Sequence, residues 1–159
     1  MRGSCSEIPP CRGVYVYLFQ VEEGLEAAVG GLGPQRFPPG VYAYVGSARG
    51  PGGVRARVCR HMAREKRLRW HIDYVSARAE PVGVFYSCDS DCSEGSLALE
   101  CSRLLTPWIR GFGSSDDSVA ETHLYRCRGL RECLEGVQRC FEAMGCSPAY
   151  RLLARGSSS

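Results

Sequence analysis

Between residues 13 and 19, Val14, Val16 and Leu18 alternate with Tyr15, Tyr17 and Phe19. This two-residue period predicts a strand, and apolar side chains on both sides predict that both of its faces are buried. Glu22, Glu23 and Gly24 read as a turn into a short strand over 25–29, followed by a Gly- and Pro-rich connection to Gly40. The next strand is predicted over 41–45, leading through Gly46, Ser47 and Ala48 into a glycine-rich loop at 50–53. Val54, Val58 and Met62 then recur at four-residue spacing between basic residues, predicting a helix from 54 to about 66.

A second helix is predicted over 70–77 and a short strand over 82–86, with Pro81 between them. After a polar, acidic loop at 87–93 the spacing is helical over 96–105 and stops at Pro107. Residues 111–117 read as a turn-rich loop and 123–127 as a late strand. Leu130, Cys133, Leu134, Val137, Cys140, Phe141 and Met144 form the apolar stripe of a closing helix over about 129–145. This order predicts an α/β fold, strictly α+β, with a small, mainly antiparallel central sheet flanked by helices. The expected organisation is an N-terminal extension over 1–12, a single domain over 13–155 and a flexible tail over 156–159.

Composition adjusts this picture in three places. With 159 residues, 44% hydrophobic and 23% charged, the chain has the make-up of one globular domain rather than a disordered or fibrous chain. No run approaches the roughly 20 apolar residues of a spanning helix, and the first residues lack the apolar stretch of a signal peptide. The expectation is a soluble, cytoplasmic protein with no membrane partner. Ten cysteines are unusual for such a location. The absence of Asn and the presence of only three Gln fit a thermophilic source, in whose cytoplasm disulfides persist; nineteen Arg against one Lys fit nucleotide bias as well. For most of the ten, buried free thiols are expected. Cys88 and Cys92 are open to a local bridge or to other partners, and zinc is not expected, because a C-x3-C pair falls short of the usual ligand spacing.

The net charge of +3 is unevenly spread. Arg55, Arg57, Arg60, Arg64, Lys66, Arg67 and Arg69 stand against one Glu between residues 55 and 69, which is the footprint of a surface that meets phosphates or else an ordinary solvated helix face.

The ordered set Gly13-Val-Tyr15, Tyr44-Val-Gly46, Arg57, His61 and Glu100 resembles the GIY-YIG nuclease superfamily. The strings GVYAYVGSARGPGG, RVCRHM, WHIDY, GFGSSDD and THLY resemble more closely a mainly archaeal branch of unknown function, some members of which are attached to a DNA glycosylase of the endonuclease III type. The resemblance covers residues 13–128. It implies a GIY-YIG-like fold and a divalent-metal-dependent endonuclease acting on structured or damaged DNA, rather than RNA, in repair, with a glycosylase as a possible partner. Tyr15 and Tyr44 would orient or deprotonate the attacking water. Arg57 would stabilise the transition state, His61 would position phosphate or assist proton transfer, and Glu100 would ligate one Mg²⁺ or Mn²⁺ ion.

Arg57 and His61 lie one helical turn apart, so both present to one locus. Arg55, Arg60, Arg64, Lys66, Arg67 and Arg69 are the candidate nucleic-acid contacts. Taken singly, each of these residues also fits an ordinary structural role.

Two departures from the family pattern stand out. Tyr15 and Tyr44 are 29 positions apart, more than twice the usual separation, so an extra hairpin is expected between Gln20 and Gly40. The competing Gly40-Val-Tyr42 shares a strand with Tyr44 and leaves no separate first strand. The Asn of many relatives is missing, with Asp116 or Asp117 as possible substitutes. Trp70 and Ile72 read as packing residues. His71, Asp73, Ser115, Asp116 and His123 are open as substrate-side groups. The other function classes open to the chain are a nucleic-acid-binding module without catalysis and a cysteine-stabilised structural protein.

Overall fold

The computed structural model describes residues 3–114 and 120–155. Its elements in chain order are β1 (Gly13–Val21), β2 (Leu25–Ala28), β3 (Pro34–Phe37), β4 (Gly40–Ala48), α1 (Gly53–Met62), α2 (His71–Ser76), β5 (Glu80–Ser87), α3 (Glu94–Leu104), β6 (Thr106–Pro107), β7 (Leu124–Cys127), α4 (Leu130–Ala143) and β8 (Ala149–Leu152). Six strands form one sheet in the order β6-β7-β4-β1-β5-β8. Every pairing in it is antiparallel. The fold is therefore α/β with a central antiparallel sheet flanked by helices. Ser115, Asp116 and Asp117, with the tail over 156–159, lie outside the described residues.

The alternation in β1 and β4 divides the interior. Tyr15, Tyr17, Phe19, Tyr42 and Tyr44 face a core closed by α1 and α2, through Val54, Val58, Ile72 and Val75. Val14, Val16, Leu18, Val41, Ala43 and Val45 face a second core closed by α3 and α4, through Leu97, Cys101, Val137 and Phe141. The expected extra hairpin is present, with β2 pairing antiparallel to β3 inside the Gly- and Pro-rich connection.

Three local features depart from the expectation. The first helix stops at Met62, because Ala63 turns extended and Lys66 folds back to donate from Nζ to the carbonyls of Arg60 and His61 at 2.8 and 3.0 Å. A lysine capping the last carbonyls also answers the negative end of the helix dipole. Strands β6 and β8 are additional. They are two and four residues long at the two edges of the sheet, and Pro107 is tolerated there because an edge strand leaves one ladder side unused.

The third departure corrects the cysteine expectation. Most are not free thiols: Cys5–Cys59, Cys11–Cys88, Cys92–Cys146 and Cys127–Cys133 are disulfides, and only Cys101 and Cys140 remain free, both buried. Three of the four join positions 54 or 77 residues apart, so sheet and helix packing brings them together rather than local sequence. Two of them hold residues 3–12 against α1 and the end of β5. In that segment Ile8 is fully buried, the Cys11 carbonyl accepts from Val54 N at 2.8 Å, and Arg55 Nε donates to the Ile8 carbonyl.

Candidate active site

The site is set by the register of two strands. Tyr15 pairs with Gly46 and Tyr17 with Tyr44, so Tyr15 and Tyr44 project from one face on neighbouring strands. Gly46 has to be glycine: a Cβ there would stand 2.5 Å from the Tyr15 ring, which lies across it. Gly113 closes the other side with φ +67°, and a Cβ on it would press on the Tyr44 ring at 2.9 Å.

Helix α1 supplies the next two side chains, one turn apart on one face. His61 is almost fully buried, and its Nε2 lies 2.7 Å from the Tyr15 hydroxyl. The edge of the Tyr44 ring packs against it at 5.7 Å. Burial, with the Lys66 ammonium second, pushes His61 down to about 3, so the imidazole is neutral at physiological pH. Burial pushes the Tyr15 and Tyr44 phenols up, and the opposing pull of Arg57 does not compensate. Both tyrosines are therefore neutral phenols, able to donate and accept hydrogen bonds but not to act as phenolate bases.

Arg57 reaches the same cleft with its guanidinium carbon 4.2 Å from the centre of the Trp70 ring, against which Arg60 and Arg69 also pack. The indole face fixes the planar guanidinium, where a lysine would swing freely.

The carboxylate in this cleft is Glu94, not Glu100. Ser93 caps α3 by accepting from Ser96 N, and Glu94 begins the helix at the end of the sheet. Its Oε1 accepts from Ser47 Oγ at 3.3 Å, and its Oε2 lies 3.4 Å from His123 Nδ1. Six residues further on, Glu100 is about 9 Å along the helix and about 240° around it. There it accepts from Arg103 at 2.9 Å, outside the cleft. The cleft encloses about 440 Å³ and is lined by Tyr15, Tyr44, Arg57, His61, Trp70, Glu94 and His123, with Ser47 and Arg49 at its wall. Among the described residues no three His, Cys, Asp or Glu side chains form a metal cage.

One comparison with known proteins decides the family: the family model described as "Domain of unknown function DUF123" matches residues 14–146. The chain belongs to the DUF123 family. No curated protein and no solved structure matches it.

In this DUF123 domain several predicted residues turn out to be structural. Asp73 is fully buried away from the cleft, accepting from Arg60 and from the backbone N–H of Arg69 and Trp70. Burial raises its carboxyl, but these hydrogen bonds outweigh that effect and hold it below its usual range. His71 Nδ1 accepts from Gly113 N at 2.8 Å and so ties α2 to the loop over Tyr44. His123, by contrast, does line the cleft.

Of the basic residues, Arg55, Arg60, Arg64 and Lys66 have intramolecular partners: the Ile8 carbonyl, Asp73, Glu80, and the carbonyls ending α1. Arg67 and Arg69 are exposed, and Arg69 packs against Trp70 at the edge of the cleft. Sequence reasoning missed Glu94, Ser47, Arg49 and the position of Trp70. The available signal was the cap Ser93 followed directly by an acidic residue, which marks the start of a helix but not which end of it meets the sheet. No helix among the described residues is long and apolar enough to cross a membrane.

Proposed function

We propose that this cleft hydrolyses phosphodiester bonds in DNA with one Mg²⁺ or Mn²⁺ ion, in the manner of GIY-YIG nucleases, with Glu94 in the role first assigned to Glu100. One observation carries the reading: Tyr15, Tyr44, Arg57 and His61, drawn from three elements, line a single cleft with Glu94, its one carboxylate among the described residues. The donor set suits a hard divalent ion, because a carboxylate oxygen is a hard ligand and the open cleft leaves room for water and phosphate oxygens in other positions. Held by Glu94, such an ion supplies Lewis-acid polarisation of the phosphate. Ser47 and His123 fix the carboxylate from either side, as outer partners of a metal ligand do.

The chain's own groups supply the rest. Arg57, stacked on Trp70, offers two N–H donors to the non-bridging phosphate oxygens and meets the charge that builds in the transition state. Tyr15 accepts a hydrogen bond from the attacking water. As the water loses its proton to the phenol oxygen, the Tyr15 hydroxyl passes its own proton to the neutral His61 Nε2, 2.7 Å away. The phosphodiester's single negative charge, and the second that builds in the transition state, raise the basicity of His61 during this transfer. Repair of structured or damaged DNA, with a glycosylase as partner, is the biological setting this activity fits.

The test is cleavage of labelled duplex, branched and single-stranded DNA, with an RNA control, in Mg²⁺ or Mn²⁺. Glu94→Gln and Arg57→Ala are each expected to lose at least about 10²-fold in rate, while Glu100→Gln cuts like wild type. Salt-sensitive binding without cutting in any lane sinks the nuclease reading in favour of a binding module.

A further inference from the structure

We infer that a second site, at Trp108, takes an unpaired nucleobase of the same nucleic-acid strand. The inference rests on the nuclease reading for the identity of the strand, but not for its readout. Trp108 walls two adjacent clefts of about 490 and 330 Å³. The larger is apolar in character, formed by Leu25, Phe37, Pro38 and Pro39 of the inserted hairpin and its exit. The smaller opens past Thr106 towards Arg126 and Arg128. The indole is held firmly: its Nε1 donates to the Arg36 carbonyl at 3.1 Å, and its backbone N–H donates to the Leu124 carbonyl at 2.9 Å. The Arg126 guanidinium sits 5.3 Å from the ring centre.

Among the described residues lining the two clefts, three arginines, Arg36, Arg126 and Arg128, stand against one carboxylate, Glu26. Arg36 pairs with Glu26 and Arg128 with Glu132, but side chains exposed by 84% and 94% leave both pairs screened by water. A fixed aromatic wall in a cationic rim is the chemistry that stacks a base and holds its phosphate without reading sequence. A proline-rich peptide would suit the apolar walls but not the cationic excess.

The placement also fits. Gly40, at the start of β4, lines the smaller cleft, and Gly46, on the same strand, lines the catalytic one. Six strand residues span about 20 Å, or about six nucleotides at the duplex spacing of about 3.4 Å. The exposed Arg110 lies on the segment joining Trp108 to Gly113. A strand cut at Tyr15 and Arg57 thus has a base within reach of Trp108 if it is single-stranded or frayed on that side.

The chain contains two tryptophans, so Trp70→Phe makes Trp108 the sole indole emitter and Trp108→Phe leaves Trp70 alone. With metal chelated and salt low, a short oligo(dT) is expected to quench Trp108 emission at concentrations where the matching duplex does not. Trp108→Ala is expected to weaken oligo(dT) binding about ten-fold, the loss of one base stack, with Trp108→Phe keeping most of it. Quenching of Trp70 with Trp108 unmoved overturns the second site and leaves the nuclease reading standing. Quenching of Trp108 by a proline-rich peptide and not by oligo(dT) overturns it as well. Quenching of Trp108 by oligo(dT) in a protein that cuts nothing supports the site while the nuclease reading fails.

Discussion

Alternate residues of β1 and β4 face two differently built cores. On one face, four of the five strand side chains against α1 and α2 are tyrosines, backed by a buried histidine; on the other, valine, leucine and alanine meet the cysteines and apolar residues of α3 and α4. Both faces are equally dry, with Tyr15 at 2% and Val16 at 0% exposure. The difference is therefore chemical, not one of burial. Burying a hydroxyl or an imidazole is costly unless it is hydrogen-bonded, and the tyrosine face accepts that cost where its polar groups converge on the cleft. On the valine face the buried Tyr125 hydroxyl is satisfied locally by the carbonyls of Ala98 and Thr122, and the face serves as the platform. Glu94 joins the two, since α3 packs on the valine face while its first turn reaches the cleft at the end of β4.

Acid is the strongest way to separate the faces. His61 has a folded pKa of about 3 against 6.5 when free. Below 6.5 the unfolded chain binds the proton and the folded chain does not, so the stability is complete above pH 6.5 and is lost as pH falls towards 3. The full effect approaches about 5 kcal/mol. Thermal melts from about pH 7 to about pH 4 are expected to fall steeply for wild type and much less for His61→Gln. Equal slopes for the two proteins would remove His61 as the group that titrates. The valine face contributes no term of this kind.

The next contrast sets one substitution on each strand face. Tyr15→Phe removes the hydroxyl that holds the water and touches His61, and is expected to cost about 10²-fold in cleavage but only about 1 kcal/mol of stability. Leu18→Ala, three residues along β1 on the opposite face and fully buried, is expected to cost about 3 kcal/mol of stability with cleavage at low temperature unchanged. Denaturant melts and initial rates on the same samples check both. A Leu18→Ala protein that stays folded but loses its rate would show that the platform also shapes the site.

The contrast between the faces was legible in the sequence because the strand period is two and both strands alternate cleanly. Tyr15, Tyr44, Arg57 and His61 were singled out by their resemblance to the GIY-YIG motifs, while the alternation and the four-residue helical step showed only that they can share a face. Glu94 did not, since Glu94 and Glu100 stand on one helix and only the docking angle of α3 decides which end meets the sheet. The disulfides were equally hidden, because three of the four pair residues far apart in the chain. Strand β8 was missed because Ala149–Leu152 is too short and too mixed to alternate visibly, and it forms only by pairing with β5.

The basic segment separates what a charge count sees from what it does not. Seven basic residues between 55 and 69 looked like one surface, yet Arg60 and Lys66 are bound inward, to Asp73 and to the carbonyls that end α1. Lys66→Ala is therefore expected to lower stability by about 1 kcal/mol, the loss of a helix C-terminal cap, and to leave the salt dependence of DNA binding unaltered. Arg67→Ala and Arg69→Ala are expected to leave the melting temperature in place. Each should weaken binding a few-fold at low salt and reduce the slope of log affinity against log salt by about one unit, the signature of one phosphate contact removed. Salt titrations of all three variants against one duplex make the comparison. A slope that falls for Lys66→Ala and holds for Arg67→Ala and Arg69→Ala would place the phosphate-facing surface on the underside of α1, away from the Trp70 edge of the cleft.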